Sequence, residues 1–185
     1  MVNQVPVYHS VVLLVDNIEE SKDFYSNVLG QKIVMDFGRN VGFKGGLALW
    51  EKEYALNIIF KEKAQNIQVG KNNVELYFEI EDLDTLSAKL KNNNIKFLHG
   101  IIEQPWVQRC FRIYDPDNHI IEFGEPMTVA IERLYNKGLT HNQIIKKTLM
   151  PKDIVLDVIG KITSVKNDKY TEDLIAPCGM NCRIC

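Results

Sequence analysis

The chain has 185 residues, 45% of them hydrophobic, enough for one well-packed domain with an appendage. A formal net charge of -2 gives no overall basic surface for nucleic acid or an anionic membrane. The apolar run Ser10 to Val15 is too short to cross a bilayer and lacks the basic start of a secretory signal, and Cys178, Cys182 and Cys185 crowd the end unlike a secreted disulfide framework, so the expected location is the cytoplasm.

In chain order, the pattern predicts a strand over 10–15 that leads through Asp16-Asn17 into a helix bearing Phe24, Tyr25, Val28 and Leu29, closed by Gly30. Strands follow over 32–37, 41–44 and 47–51. After a connector over 53–73 the sequence repeats itself. A strand over 74–80 leads through Glu81-Asp82 into a helix with Leu83, Leu86 and Leu90 at spacings of three and four, and strands follow over 96–101, 108–114 and 120–123. Each copy reads as βαβββ. The predicted class is therefore α+β, two such modules (about 6–52 and 74–125) forming a curled mixed sheet around a cavity within a domain over 1–126. A helical extension over 127–165 and a cysteine-rich tail over 166–185 complete the chain.

The last strand of the second copy carries a carboxylate among apolar residues. Tyr114-Asp115-Pro116-Asp117-Asn118-His119 is a tight polar turn, and Ile120 to Phe123 is the strand that contains Glu122. A buried, unpaired charge costs several kcal/mol, so Glu122 needs a metal, an arginine or a ligand as partner. With Asp16 to Gly30 and Glu81 to Leu90, the stretch Asp115 to Phe123 resembles the glyoxalase, bleomycin-resistance and extradiol dioxygenase (vicinal oxygen chelate, VOC) superfamily over roughly residues 6 to 126. Its most specific element is the pairing of Phe24-Tyr25 and Leu29-Gly30 with the Asp-Pro-Asp turn and the later Glu.

The resemblance implies up to four metal ligands on cavity-facing strand positions, usually His, Gln or Glu. The last maps onto Glu122 and the third onto Glu75. The first falls on Ser10, with His9 one residue off and turned to the opposite face by strand alternation. The second lies within Leu47 to Trp50, where Ala48 and Trp50 are the candidates. Two carboxylates make a poor site for Zn²⁺ or Ni²⁺, whereas Mg²⁺, Mn²⁺ or Ca²⁺ uses such groups with waters. A divalent cation on Glu75 and Glu122 is thus the only cofactor the pattern leaves open.

Alternation puts Gln108, Cys110, Arg112 and Tyr114 on one face, Glu75, Tyr77 and Glu79 on another, and Ala48 with Trp50 on a third strand. The expected ligand-binding set is Trp50, Tyr77, Gln108, Arg112, Glu75 and Glu122, which mixes acids, phenols, an indole and the planar fork of an arginine. With the resemblance, this implies a protein that binds a small polar or partly aromatic molecule in the sheet cavity, without a standard catalytic metal. The alternative it implies is a divalent-metal-dependent lyase, isomerase or dioxygenase using Glu75 and Glu122. Each residue also has a structural explanation. Arg112 and Glu122 neutralise each other across adjacent strands, Trp50 and Trp106 are packing or dimer contacts, Cys110 is a small buried hydrophobe, and His119 is solvated in its turn. A homodimer is the further expectation from the resemblance.

Beyond Pro126 three helices are predicted. Met127, Ala130, Ile131 and Leu134 form the first stripe. Thr140 with Gln143 makes a capping box for the second, and Ile154, Val155, Val158 and Ile159 form the third. Residues 126–165 hold six Lys or Arg against three acids, a modest excess, and the third helix shows mainly Asp153, Asp157 and Lys161 as polar groups, so packing is favoured over DNA reading. The final Ala176-Pro177-Cys178-Gly179 with Cys182 and Cys185 resembles the opening of a small cysteine-rich domain of unknown function. Three thiols suit a soft metal, but a closed zinc site needs a fourth ligand.

Overall fold

A computed structural model of the chain describes residues 6–61 and 68–172, with side chains through 165. The three C-terminal cysteines therefore lie outside the described residues. By contacts the chain divides into two compact units, one of Met1–Phe78, Leu86–Gly100 and Arg112–Glu122, the other of Glu79–Thr85, Ile101–Phe111 and Phe123–Cys185.

In the first unit, β1 (Val11–Val15), β2 (Ile33–Asp36), β3 (Asn40–Phe43) and β4 (Leu47–Glu51) form a sheet in the order β1-β4-β3-β2. β1 runs parallel to β4, pairing Val12 with Ala48 and Leu14 with Trp50, while β3 is antiparallel to β4 and β2. Alternation divides the faces as anticipated. Leu13, Val15 and Leu49 are buried on one, and Val12, Leu14, Ala48 and Trp50 occupy the other. The helix α1 (Ile18–Asp23) starts where the Asn17 side chain accepts the Glu20 N–H, and it widens into a π-helical turn over Phe24–Val28, with Leu29 N–H bonded to the Phe24 carbonyl at 3.0 Å. That wider turn carries both Phe24 and Tyr25 into the core, edge to face at 5.2 Å.

The connector contains α2 (Lys52–Phe60), which the sequence pattern had not signalled. Its inward residues are only Ala55 and Leu56, and Ile58 and Ile59 remain exposed, so no clean helical stripe marks it.

The second copy gives β5 (Glu75–Glu79), α3 (Leu83–Asn92), β6 (Phe97–Glu103), β7 (Arg109–Tyr114) and β8 (Ile120–Gly124), in a sheet of order β5-β8-β7-β6. This order is that of the first sheet with four added to every label, so the internal repeat is a repeat of topology. The flanking bonds Ile120 N–H to Val74 C=O and Ile80 N–H to Gly124 C=O ascend together, which makes β5 and β8 parallel like β1 and β4. The strands form two four-stranded sheets that do not close into one continuous curl.

In the second unit, α4 (Met127–Asn136), α5 (His141–Thr148) and α6 (Lys152–Glu172) enclose a core of Ile131, Leu134, Ile144, Val155 and Ile159, into which Val107 also packs. The capping box at α5 is present in both directions, with Gln143 N–H donating to Thr140 Oγ1 and Thr140 N–H to the Gln143 side chain at 2.8 Å. No helix among the described residues is long and apolar enough to cross a membrane.

Candidate functional site

The polar turn before β8 is anchored by burial. The Asp115 carboxylate accepts from Asp117 N–H and His119 N–H through Oδ1 (3.0 and 2.7 Å), and from the Tyr25 hydroxyl and the His119 Nδ1–H through Oδ2 (2.9 and 2.8 Å). Asp117 in turn accepts from Asp16 N–H at 2.8 Å and from the Ser21 hydroxyl at 3.0 Å, while Asn118 supplies the left-handed residue at φ 63°. Gly70 at the end of the connector presses on this turn so closely that a Cβ there would sit 1.9 Å from the Asp117 carbonyl oxygen. His119, expected in solvent, is only 6% exposed, because the carboxylate of Asp115 draws its ring inward. Burial lowers the tendency of His119 to hold a proton, but the hydrogen bond to Asp115 and the charges of Asp115, Asp117 and Asp16 outweigh it and raise its pKa above 6.5. The turn thus ties α1 to the start of β8 and fixes the phase of that strand, so that Glu122 takes a defined position.

At that position Glu122 meets Arg112. Its side chain is 8% exposed and forms an ion pair with Arg112 Nη2. Arg112 Nε donates to Glu75 Oε1 at 2.6 Å, and Nη1 donates to His99 Nε2 at 3.1 Å. His99 Nδ1 lies 2.8 Å from the Gly100 carbonyl, so Nδ1 carries the hydrogen and Nε2 is the acceptor. Burial raises the pKa of Glu122, reinforced by its hydrogen bond with Glu75 and opposed by the charge of Arg112. For Glu75 burial acts in the same direction, but the hydrogen bonds from Arg112 and Glu122 and the guanidinium charge outweigh it, so its pKa falls. As pH rises, the last proton of the pair therefore resides on Glu122.

Of the six residues expected to bind a ligand, Glu75, Arg112 and Glu122 are brought together, and His99 joins them without having been foreseen. Tyr77 projects on the same strand face as Glu75, is 49% exposed, and lines a cleft of about 380 Å³ with Tyr8, Gln31, Lys44 and Leu47. Trp50 lies on β4 beside Tyr54, with its indole N–H buried and without a hydrogen-bond partner. Gln108 is buried. Its amide donates to the Glu125 carbonyl at 2.8 Å and accepts from Trp106 Nε1 at 3.0 Å.

The residues present do not fit a divalent metal. His9, Ser10 and Ala48 line a mainly apolar cleft of about 310 Å³ with Val34, Met35 and Gly42, where the first two ligands would have to stand. His9, expected on the opposite face, borders the same cleft as Ser10 because both precede β1, where strand alternation does not apply. Glu75, Glu122 and His99 are spread around the edges of a planar guanidinium instead of converging on a point. Among the described residues no group of three or more His, Cys, Asp or Glu side chains is placed to hold a metal ion.

The Glyoxalase-like domain family matches residues 8–128. The chain is similar to a protein of unknown function from Agrobacterium tumefaciens str. C58, at 35% identity and a TM-score of 0.62, with 68% of this chain and 98% of that one covered. It also shares its fold with a glyoxalase/bleomycin resistance protein/dioxygenase from Nocardioides (22% identity, TM-score 0.55, covering 66% and 84%). A lactoylglutathione lyase from Agrobacterium tumefaciens is a further fold match (21% identity, TM-score 0.53, covering 67% and 96%). The chain belongs to the Glyoxalase-like domain family.

Proposed function

We propose that the chain binds a small polar, partly aromatic molecule through Glu75, Tyr77, Arg112 and Glu122, with the Arg112 guanidinium as the resident cation of the site. The observation that carries this reading is the Glu75–Arg112–Glu122 arrangement, in which a fixed organic cation holds two carboxyl groups on two sides of its plane. Glu75, with its side chain 43% exposed, accepts hydrogen bonds from a hydroxyl, amide or amine group of the ligand, and Tyr77 offers an aromatic face beside it. Exposed Val7, Tyr8 and Phe37 in the same unit accord with a homodimer.

The test is ligand-observed NMR with phenols, aromatic amides and aromatic amines against the wild type and the Glu75→Gln, Arg112→Ala and Glu122→Gln variants. Binding that is lost or weakened in all three supports the site, and binding equal to wild type in each removes these residues from it. Elemental analysis of protein purified without added metal runs beside it. One equivalent of a divalent metal that disappears in Glu75→Gln and Glu122→Gln would replace this reading with the metal-dependent lyase, isomerase or dioxygenase.

A further inference from the structure

We propose that the second unit holds a ligand site of its own, a cleft of about 470 Å³ that takes a small carboxylate with a flat apolar body. It is lined by Pro105, Trp106, Gln143, Lys146, Lys147 and Leu149, and its volume lies in the range of small-molecule sites. None of these residues takes part in the Arg112 cluster, so this inference stands independently of the function proposed above.

The aromatic wall is held rigidly. Trp106 is 38% exposed, and its Nε1–H donates to Gln108 Oε1, which is itself fixed by the Gln108 bond to Glu125. The next residue, Val107, adopts φ 65°, a left-handed conformation that a β-branched residue takes only when its surroundings impose it. Three contacts impose it here. Val107 packs into the helical core, its N–H closes a turn onto the Gln104 carbonyl at 2.8 Å, and its carbonyl accepts from Arg133 Nη2 at 2.6 Å. An indole fixed this way loses little freedom when a flat molecule stacks on it. Leu149 ends α5, also left-handed at φ 58° and 78% exposed, and forms the other apolar surface.

The charge lining this cleft has no ion-pair partner among the described residues. Arg109, Arg133 and Lys161 of the same unit each pair with an acid, whereas among the described residues Lys146 and Lys147 form no ion pair. Two exposed ammonium groups beside an apolar wall complement a molecule with an apolar plane and a single anionic end.

The experiment is isothermal titration calorimetry of the full chain with 2-naphthoate and its neutral counterpart 2-naphthalenemethanol. The expected result is saturable binding of the carboxylate at one site. The alcohol, and the carboxylate against the Lys146→Ala/Lys147→Ala variant, should each bind about tenfold more weakly or worse, as loss of a charged pairing predicts. Trp106→Leu should abolish binding, and Lys161→Ala should leave it unchanged. The lysines are exposed, so their variant carries the test even if Trp106→Leu fails to fold. No saturable binding, equal affinity of the double lysine variant and wild type, or an equal loss in Lys161→Ala would overturn the proposal.

Discussion

Arg112→Met keeps a stem of comparable length and removes the guanidinium, which makes it the most direct perturbation of the site. Glu122 is then buried beside Glu75 with no cation to offset it. Removing one partner of a buried ion pair costs about 3–5 kcal/mol. The lower end applies here, because Glu75 is partly solvated and Glu122 escapes by binding a proton. About 3 kcal/mol corresponds to a drop in melting temperature of roughly 6–12 °C for a chain of this size.

The pH dependence gives the sharper test. Glu122 has a raised pKa in the folded state, so its ionisation removes stability as pH rises from its ordinary value of 4.5 through the folded value. Without Arg112 that value climbs further and the loss grows. Glu75 has a lowered pKa, so it contributes stability above its ordinary value, and that contribution disappears together with Arg112. The Glu122 effect makes the gap between wild type and Arg112→Met larger at pH 7.5 than at pH 5, while the Glu75 contribution is already present at pH 5 and adds to the gap at both values. Urea unfolding at the two pH values measures it, and adding Glu122→Gln to Arg112→Met should restore much of the loss at pH 7.5. A gap that does not change with pH, or none at either value, refutes the electrostatic reasoning.

Tyr25→Phe removes the hydroxyl donor to Asp115 inside a fully buried network, and a hydrogen bond to a charged acceptor is worth about 1.5–3 kcal/mol. Denaturant unfolding should show that loss, and unchanged stability would mean that the turn is not held by this bond. His119 should titrate above 6.5 when its ring resonances are followed by NMR. The stability it contributes is complete below that ordinary value and declines as pH rises through the raised one. A midpoint at or below 6.5 contradicts the pairing with Asp115.

The repeated βαβββ pattern was legible because each copy alternates apolar and polar positions over its strands, and the first sheet shows the consequence in Leu13, Val15 and Leu49 on one face and Ala48 and Trp50 on the other. The pairing of Arg112 with Glu122 was legible from strand adjacency. His99 was not, because nothing in its own segment marks it as polar-facing. The signal lay in the register of the neighbouring strand. With Tyr114 N–H bonded to the Lys96 carbonyl, counting inward along β6 and β7 brings Arg112 alongside residues 98 and 99. His119 was misjudged for a related reason. A polar turn reads as solvent-exposed in sequence, and its burial depends on Tyr25, Ser21 and Asp16, some hundred residues earlier.

These two errors explain why the fold could be read so much better than the chemistry. The Asp115 knot determines that residue 122 takes its place beside the neighbouring strands, whatever those strands carry, since its bonds run to α1 and to the turn itself. The consequence of a carboxylate there is decided by positions on other strands. Just before β1 and on β4 they are Ser10 and Ala48, which offer no strong metal donor, and on β5, β6 and β7 they are Glu75, His99 and Arg112. A guanidinium directs its N–H groups outward in one plane, so acids and an imidazole that would have to converge on a metal ion here diverge around an arginine. The same turn and the same glutamate thus stand beside a positive charge that is part of the chain, and under the function proposed above the ligand preference would follow from the half-exposed Glu75 and Tyr77 instead of from an open coordination position.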